Sequence, residues 1–408
     1  MSLIAIPNLS LSASVDFVEG GGDSVLLFSM RKVADLVGYV AMYEFEDVIA
    51  ELSGADVVRP TDLEGLEFPR RVYKLARMLT RSPRFAESVR LAGKPLKIDK
   101  QYELFLAVFN HPHELFALNA IDGWRDRSLS AACYLCEAWD AELPVYLVEM
   151  LKRFDHIFVG VNGALDAVAK ISGRPVTYLP MGVDALRFCP YPNPAARFID
   201  MCGIGRRSPV THAALLKWSS EKGTFYYYDT VQASAPKGGG PPRITTFRVS
   251  NPGEHRRLIS NVLKRSRYFI ANRAWADRPE LTGGKDEIAA RFYEGAAAGT
   301  IMLGDPPKSE DFRLQFGWKD PVIPIPFHCE GIAATLAELE ADPDRCERIR
   351  RDSVANSLLQ HDWVYRLRTI RTALGLGPTS QQLAREQRLR ELADEVRVDR
   401  VSYEYATR

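Results

Sequence analysis

Apolar positions along the chain recur at two spacings, one typical of buried strands and one typical of amphipathic helices. From residue 101 onward, short apolar runs alternate with stretches of helical spacing, and polar loops separate them. This rhythm predicts an α/β fold built on doubly wound parallel sheets. The strands predicted in this part of the chain are residues 103–109, 131–135, 154–159, 176–179, 224–228, 266–271 and 300–303.

The segment from Lys285 to Asp305 has the clearest pattern and predicts a helix that leads into a strand. Its apolar residues recur at three- and four-residue spacing after two glycines, and Gly299 ends the helix as a residue tolerant of positive φ does. The apolar run 300–303 then suits a strand buried in a parallel sheet. Glu294 is therefore predicted to be an acid in the middle of a helix that packs on a sheet.

The first hundred residues contain no catalytic signature. Residues 24–29 predict a strand, and residues 43–52 and 72–79 have helical spacing. The arginine and lysine residues between 70 and 90 form a basic region that we interpret as the solvated face of a helix. An acidic partner or a membrane surface is the alternative interpretation.

Composition limits the class of protein. With 408 residues, the chain is long enough for two domains with separate cores. Its 53 basic and 52 acidic side chains give a net charge of +1, which argues against general nucleic-acid binding. No apolar run reaches the roughly 20 residues that span a bilayer, and the N-terminus lacks the pattern of a signal peptide. We therefore expect a cytoplasmic protein.

The cysteines predict neither disulfides nor a metal site. Six cysteines are too few for a disulfide framework in a chain of this length. Cys133 and Cys136 have the spacing of half a zinc site, but residues three apart on a strand point to opposite faces. We expect buried, reduced thiols and no metal ligands.

Polar residues follow several predicted strands at the end where open parallel sheets bind ligands. Asn110, His111 and His113 come after strand 103–109, Glu137 and Asp140 come after the next strand, and Asn162 comes after the third. Two histidines beside an acid are as consistent with a binding crevice as with ordinary surface loops.

A family resemblance begins at Tyr178-Leu-Pro-Met-Gly-Val-Asp184-Ala-Leu-Arg-Phe188-Cys-Pro190. This stretch resembles the Pro-x-Gly-Val-Asp and Phe-x-Pro segment that joins the two domains of GT-B glycosyltransferases of the group 1 type. Gly205-Arg206 after a strand and His361-x-Trp363 add to the similarity. The resemblance implies a GT-B fold, in which two Rossmann-like doubly wound domains face each other across a cleft. The implied parts are an acceptor-side domain (1–190), a donor-binding domain (191–375) and a helical tail (376–408) that crosses back to the first domain.

The resemblance also assigns roles on the donor side. Gly205 and Arg206 match the residues that contact the nucleotide diphosphate, whereas the lysine that often follows is missing and His212 is a weak substitute. Glu294 matches the acid whose carboxylate accepts hydrogen bonds from the ribose hydroxyls. Asp286 precedes Glu294 by eight residues, as the family's first acid does, and Glu287 by seven, so the two compete for one role near the donor sugar.

Further residues complete the expected donor site. Arg273 at a strand end, Lys285 and the loop at Gly284 offer positive charge to a departing diphosphate. Arg273 and Asp286 are therefore candidates for the chemistry, together with His111 and His113 on the acceptor side. Asn110, Glu137 and Asn162 would line the same side.

The expected activity is transfer of a sugar from a nucleotide diphosphate sugar to an acceptor, with retention of configuration and without a metal or another cofactor. The acceptor class stays open among glycans, lipid-linked molecules and small molecules. A lipid-linked acceptor would bring the basic stretches at 70–90 and 254–267 to the inner face of a membrane. Two alternatives are a sugar-nucleotide epimerase on the same fold and a degenerate transferase that only binds sugar nucleotides.

Overall fold

The computed structural model describes residues 15–20, 24–61, 95–139, 143–229, 233–234, 243–244 and 248–406. The chain packs into two compact units. The first contains residues up to Asp35 and Ile49–Tyr178, and the second contains Leu36–Val48 and the residues from Leu179 onward. The predicted helix at 72–79, the basic region between 70 and 90, and Asp140 lie outside the described residues. The domain boundary at 190 and the crossing of the tail stay predictions.

The first unit is organised around a seven-stranded sheet. The strands of this unit are β1 (Val15–Val18), β2 (Val25–Ser29), β3 (Asp56–Pro60), β4 (Leu96–Lys97), β5 (Tyr102–Phe109), β6 (Ile121–Asp122), β7 (Ser128–Leu135), β8 (His156–Val159) and β9 (Val176–Tyr178). The sheet order is β1-β3-β2-β5-β7-β8-β9, and β4 pairs separately with β6. Strand β1 is antiparallel to β3, and all other neighbours in the sheet are parallel.

The central strands of this sheet are apolar along most of their length because both of their faces are covered. Every residue of β2 is buried, and so are the last six residues of β5 and the last five of β7. Strands buried on both faces appear in a sequence as continuous apolar runs. These runs are what the sequence pattern detected, and the predicted strands are confirmed with ends shifted by three residues or fewer.

Short helices complete the first unit. Helix α1 (Val40–Ser53) begins in the second unit, because its residues up to Val48 pack there. Helices α2 (Val145–Leu151) and α3 (Leu165–Ser172) follow β7 and β8 along the chain. Two 3-10 turns, Pro112–Ala120 and Asn162–Ala164, come directly after the ends of β5 and β8.

The second unit contains a five-stranded parallel sheet of order β11-β10-β14-β15-β16. Its strands are β10 (Ile199–Gly203), β11 (Tyr226–Tyr228), β14 (Ser266–Ile270), β15 (Ile301–Gly304) and β16 (Ile323–Pro324), and the short strands β12 (Ala233–Ser234) and β13 (Arg243–Ile244) pair with each other. Its helices are α4 (Ala185–Phe188), α5 (Pro209–Lys222), α6 (Pro252–Lys264), α7 (Ala290–Ala297), α8 (Glu310–Gln315), α9 (Ile332–Glu340), α10 (Pro343–Gln360), α11 (Trp363–Ala373) and α12 (Ser380–Ala406).

The strand order of the second unit defines where a ligand should bind. The chain starts at β10, continues to β11 on one side and then returns to β14 on the other side. Such a reversal creates a crevice beyond the carboxyl ends of the two central strands. In this unit the crevice lies at the loops that follow Gly203 and Ile270.

Helix α7 carries Glu294 as the sequence pattern predicted, but it is shorter than expected. It begins at Ala290, and Ala289 has an extended conformation (φ −77°, ψ 150°). The backbone carbonyl of Glu287 accepts a hydrogen bond from Ala274 N at 3.0 Å, so the residues before the helix are tied to the loop after β14. Asp286 and Glu287 therefore lie in a loop, outside the helix that pattern alone extended over them.

Candidate functional site

A cavity of about 300 Å³ lies at the carboxyl end of the sheet in the second unit. Part of its wall comes from the residues that follow β10, from β11 and Asp229 just after it, and from the faces of α6 and α7. The rest comes from the start of α1 and the turn before it. The lining residues with polar groups that the site can use are Gly205, Asp229, His255, Arg256, Arg291 and Glu294.

Gly205 makes the sharp turn that brings the backbone to this cavity. Its φ of +72° lies in the left-handed region, and its N–H donates to both carboxylate oxygens of Asp229, at 2.9 and 2.8 Å. A Cβ atom at this position would lie 1.6 Å from Nη2 of Arg291. Glycine is therefore needed both for the conformation and for the close approach of the guanidinium.

Arg291 lies in the first turn of α7 and faces the cavity. Its Nε donates to the carbonyl of Ile204 at 2.9 Å, and within the described part of the chain its Nη groups have no hydrogen-bond partner. Burial lowers the pKa of Arg291, and the nearby carboxylates of Glu294 and Asp229 act in the opposite direction. Since a guanidinium remains protonated in proteins, the cavity contains a fixed positive charge with unused donors.

Glu294 lies one turn further along α7 and is 7% exposed. Its Oε1 accepts a hydrogen bond from Nη1 of Arg256, and its other oxygen has no partner among the described residues. Arg256 in turn is held by Glu44, to which Nε and Nη2 each donate at 3.0 Å. The carboxylate therefore has one anchored oxygen and one oxygen that is available to a ligand.

The arginines that the sequence singled out are already paired with acids. Arg206 contacts both carboxylate oxygens of Asp277, at 3.3 and 3.1 Å, and its guanidinium lies 3.7 Å from the ring centroid of Trp275. Arg273 contacts Asp286 at 3.4 Å and Asp305 at 3.3 Å. Both arginine side chains are about one-third exposed.

The two acids that compete for one role have different surroundings in the loop before α7. Oδ2 of Asp286 accepts a hydrogen bond from Lys308 N at 2.6 Å, and its Oδ1 contacts Arg273. Glu287 is buried, with only 7% exposure. Gly284 has a φ of +81° at the start of this loop, and Lys285 N donates to the carbonyl of Thr282.

The structure brings some of the predicted donor-side residues together and leaves others apart. Gly205 and Glu294 line the cavity. The residues outside its lining are Arg206, His212, Arg273, Gly284, Lys285, Asp286 and Glu287. His212 lies on α5, where its Nδ1 is 3.0 Å from the hydroxyl of Tyr226, and burial together with Arg207 lowers its pKa.

The predicted acceptor-side residues lie in the first unit at the carboxyl ends of β5 and β7. Glu137 N donates to the carbonyl of Asn110 at 2.7 Å, which joins the two strand ends. The rings of His111 and His113 stack with centroids 5.0 Å apart, and His113 N donates to Nδ1 of His111 at 3.3 Å. Asn162 lies further along the same edge, in the 3-10 turn after β8.

Glu114 is a titratable residue in this group that the sequence pattern did not indicate. Its Oε2 accepts a hydrogen bond from Asn110 N at 2.8 Å. Burial raises the pKa of Glu114 to about 7, and the charge of Glu137 adds to the effect. Its position directly after a histidine pair at a strand end was the signal available in the sequence.

Two stretches that carry the family resemblance contact each other directly. Val183 N donates to the carbonyl of His361 at 3.0 Å, and Trp363 N donates to the carbonyl of Val183 at 3.2 Å. Arg385 on α12 joins Asp184 at 2.7 Å and Asp362 at 2.8 Å. The Gly-Val-Asp and His-x-Trp motifs therefore form one buried structural joint beside α7.

A family model described as "Glycosyl transferase-like" matches residues 252–372, which include α6, α7 and the His-x-Trp part of this joint. These residues are similar to a glycosyltransferase domain. The resemblance to GT-B glycosyltransferases of the group 1 type is confirmed, and so are the α/β fold class with two Rossmann-like sheets and the enzyme class. The match favours neither an epimerase nor a degenerate binding protein.

Solved glycosyltransferase structures are similar to the chain at low identity. HepE from Anabaena in complex with UDP-glucose is 11% identical, with 86% of this chain and 99% of that chain covered and a TM-score of 0.47. The pneumococcal O-GlcNAc transferase GtfA in complex with UDP and GlcNAc is 10% identical, with 66% and 56% covered and a TM-score of 0.39. No curated protein sequence matches the chain.

The described residues also bear on membrane, metal and thiol chemistry. Within the described ranges, no helix has the length and apolar character to cross a membrane. The same residues contain no cluster of three or more His, Cys, Asp and Glu side chains arranged to hold a metal ion. All six cysteines are free, and all but Cys136 are buried.

Proposed function

We propose that the second unit binds a nucleoside diphosphate sugar in its cavity and that the enzyme transfers the sugar to an acceptor. One observation carries the proposal. Successive turns of α7 present a carboxylate with one available oxygen, on Glu294, and a guanidinium with unused donors, on Arg291, to the same cavity. A ribosyl phosphate has the matching groups, since its hydroxyls donate to carboxylates and its phosphate accepts from guanidinium groups.

The position and size of the cavity support this ligand. It borders the loop after β10, one of the two strand ends between which the strand order reverses, and nucleotides bind at such reversals in open α/β sheets. Its volume of about 300 Å³ is at the lower end of the range for small-molecule sites. Apolar side chains beside the polar pair, including Val37, Val40 and Leu258, offer a surface to the flat base.

The remaining predicted cations are proposed to receive the departing diphosphate. Arg206 and Arg273 are partly exposed, and each now contacts carboxylates. An incoming diphosphate carries more charge than one carboxylate and offers the same bidentate geometry to arginine. Phosphate oxygens would therefore replace the carboxylates of Asp277 and Asp286 as partners of the two arginines. This change would assemble the leaving-group site, with Lys285 in the adjoining loop.

We propose retention of configuration without a protein nucleophile. Of the two carboxylates that line the cavity, Asp229 is engaged by Gly205 N and Arg207, and Glu294 is held by Arg256 with its other oxygen assigned to the ribose. The acceptor oxygen would bond to the anomeric carbon as the bond to the phosphate oxygen breaks, and the acceptor proton would pass to that phosphate oxygen. Fixed arginines neutralise the leaving group in this scheme, so it uses neither a metal ion nor another cofactor.

A binding experiment tests the donor site. UDP, GDP, ADP and TDP are titrated into the wild-type protein by calorimetry, and thermal unfolding is followed in parallel because a ligand of the folded state raises the melting temperature. We expect one of them to bind, and we expect Glu294→Gln and Arg291→Met each to weaken that binding about tenfold or more, as loss of a charge-assisted hydrogen bond does.

Arg257→Met is the matched control, because Arg257 is on the same helix as Arg256 but points to solvent. It should leave nucleotide binding unchanged. Absence of binding by the wild-type protein, or wild-type affinity in Glu294→Gln, would overturn the proposal. Transfer assayed with a chelator present, with the product anomer identified by NMR, tests the reaction itself, and an inverted product or loss of turnover on chelation would contradict the scheme.

A further inference from the structure

We infer that Glu44 and Arg256 are positioning residues for Glu294, and that the segment Leu36–Val48 is thereby part of the donor site. They hold one oxygen of the Glu294 carboxylate so that the other meets the ribose hydroxyls of the donor. The inference rests on the proposed function of Glu294 as the ribose ligand. It adds a specificity device that neither the sequence pattern nor the family resemblance indicated.

The three side chains are buried and are linked in series by hydrogen bonds. Glu44 is 0% exposed in its side chain, Arg256 is 3% exposed and Glu294 is 9% exposed, so exposure increases only at the end that reaches the cavity. Glu44 holds Nε and Nη2 of Arg256 in a two-point contact at 3.0 Å each. The remaining Nη1 of Arg256 is then aimed at Oε1 of Glu294.

Glu44 itself is fixed from several directions. Its Oε2 accepts hydrogen bonds from Nε1 of Trp363 at 3.1 Å and from Asp184 N at 3.0 Å. Nη1 of Arg187 lies 3.5 Å from its Oε1. Glu44 is therefore fixed by the joint between the Gly-Val-Asp and His-x-Trp motifs. Through Arg256, it fixes the orientation of the Glu294 carboxylate on α7.

The charges indicate a role beyond stability. The carboxylates of Glu44 and Glu294 raise the pKa of Arg256 despite its burial, so the guanidinium is permanently charged. Arg256 holds Oε1 of Glu294, which leaves the other oxygen of that carboxylate to accept from hydroxyl donors. Buried ion pairs of this kind contribute little net stability compared with apolar side chains of the same volume, whereas they orient their members strictly.

The decisive measurement is discrimination between ribose and 2′-deoxyribose. The nucleoside diphosphate with the highest affinity and its 2′-deoxy analogue are titrated by calorimetry into wild-type protein and into Glu44→Gln and Arg256→Lys. We expect the wild-type protein to prefer the ribonucleotide by about tenfold or more, the size of one hydrogen bond to a charged group. Both variants should lose most of this preference, with a higher KM for the donor sugar and a nearly unchanged kcat.

Two further variants separate positioning from folding. Asp320→Asn perturbs a partly exposed cluster of charge in the same unit, with Arg345 and Arg348, and should leave the ribose preference intact. The double variant Glu44→Gln with Arg256→Met removes both partners of the buried pair, so it should fold even where Glu44→Gln alone does not. It should nevertheless fail to distinguish the two nucleotides.

Each outcome has a definite meaning. A wild-type protein that binds no nucleotide, or binds both forms equally, overturns the proposed role of Glu294 and the inference with it. A wild-type preference that survives in Glu44→Gln, or in the double variant where the single variant does not fold, overturns the positioning role alone. Loss of the preference in these variants together with its persistence in Asp320→Asn supports the inference.

Discussion

Substitution of Gly205 by alanine should damage the second unit more than the same substitution at Gly223. Both glycines have positive φ, +72° and +66°. A Cβ atom at Gly223 would meet no heavy atom within 4 Å, whereas at Gly205 it would lie 1.6 Å from Nη2 of Arg291. The pair of variants therefore separates the cost of the backbone conformation from the cost of displacing the guanidinium.

The magnitudes follow from these contacts. Alanine in the left-handed region costs roughly 1–2 kcal/mol, and this applies to both variants. At Gly205 the guanidinium must also move away from the 2.9 Å hydrogen bond that its Nε donates to Ile204 O. A hydrogen bond to a charged group contributes about 1.5–3 kcal/mol. Gly205→Ala should therefore lose about 2.5–5 kcal/mol in total, and its affinity for nucleotide should fall because Arg291 no longer faces the cavity.

Thermal unfolding and calorimetric titration with nucleotide provide the assay. A domain of this size shifts its melting temperature by about 2–4 °C per kcal/mol, so the two variants should differ by several degrees. Gly223→Ala should keep wild-type affinity for the nucleotide. Equal melting temperatures for the two variants, together with unchanged affinity in Gly205→Ala, would refute the placement of Arg291 against this glycine.

Two further predictions concern the joint behind the site. Burial lowers the pKa of His361 to about 3. The folded state therefore keeps His361 neutral. The free energy of unfolding decreases as the pH falls below the ordinary histidine pKa of about 6.5, by about 2 kcal/mol between pH 8 and pH 5. Urea unfolding of the wild-type protein at the two pH values should show this decrease. The variant His361→Gln should lack the part of the decrease that His361 causes. An identical pH dependence in the two proteins would disprove the lowered pKa of His361. Gly182→Ala would place a Cβ atom 2.7 Å from Cε3 of Trp363, so it should lower the free energy of unfolding by about 1–3 kcal/mol. Gly377→Ala is the control: its Cβ atom would meet nothing within 4 Å, so the same urea titration should show almost no change.

The sequence was sufficient for the elements that bury long apolar runs. Strands β5 and β7 were predicted because both faces of each are covered, so that almost every position is apolar. Helix α7 and strand β15 were found in the same way, although the start of α7 was not. The loop at residues 285–289 is tied by a hydrogen bond to the loop after β14, a contact that helical spacing cannot report.

The tertiary structure also decided which charges neutralise each other. Sequence alone offered Arg206 and Arg273 as open cations, yet each contacts carboxylates. Arg291, which the pattern treated as an ordinary helix residue, is the arginine with unused donors at the cavity. An ion pair depends on the distance between two side chains that are far apart in the sequence. The order of residues does not specify that distance.

The order of residues in this protein determined its strands, its main helices and the motifs by which the glycosyltransferase family is recognised. Apolar periodicity and short motifs are local properties, so they can be detected in a sequence before any fold is known. Only the fold placed Glu44 against Arg256, 212 positions later, and Arg256 against Glu294. The orientation of the carboxylate proposed to bind ribose is a property of that packing, because a side chain is held by its neighbours in space.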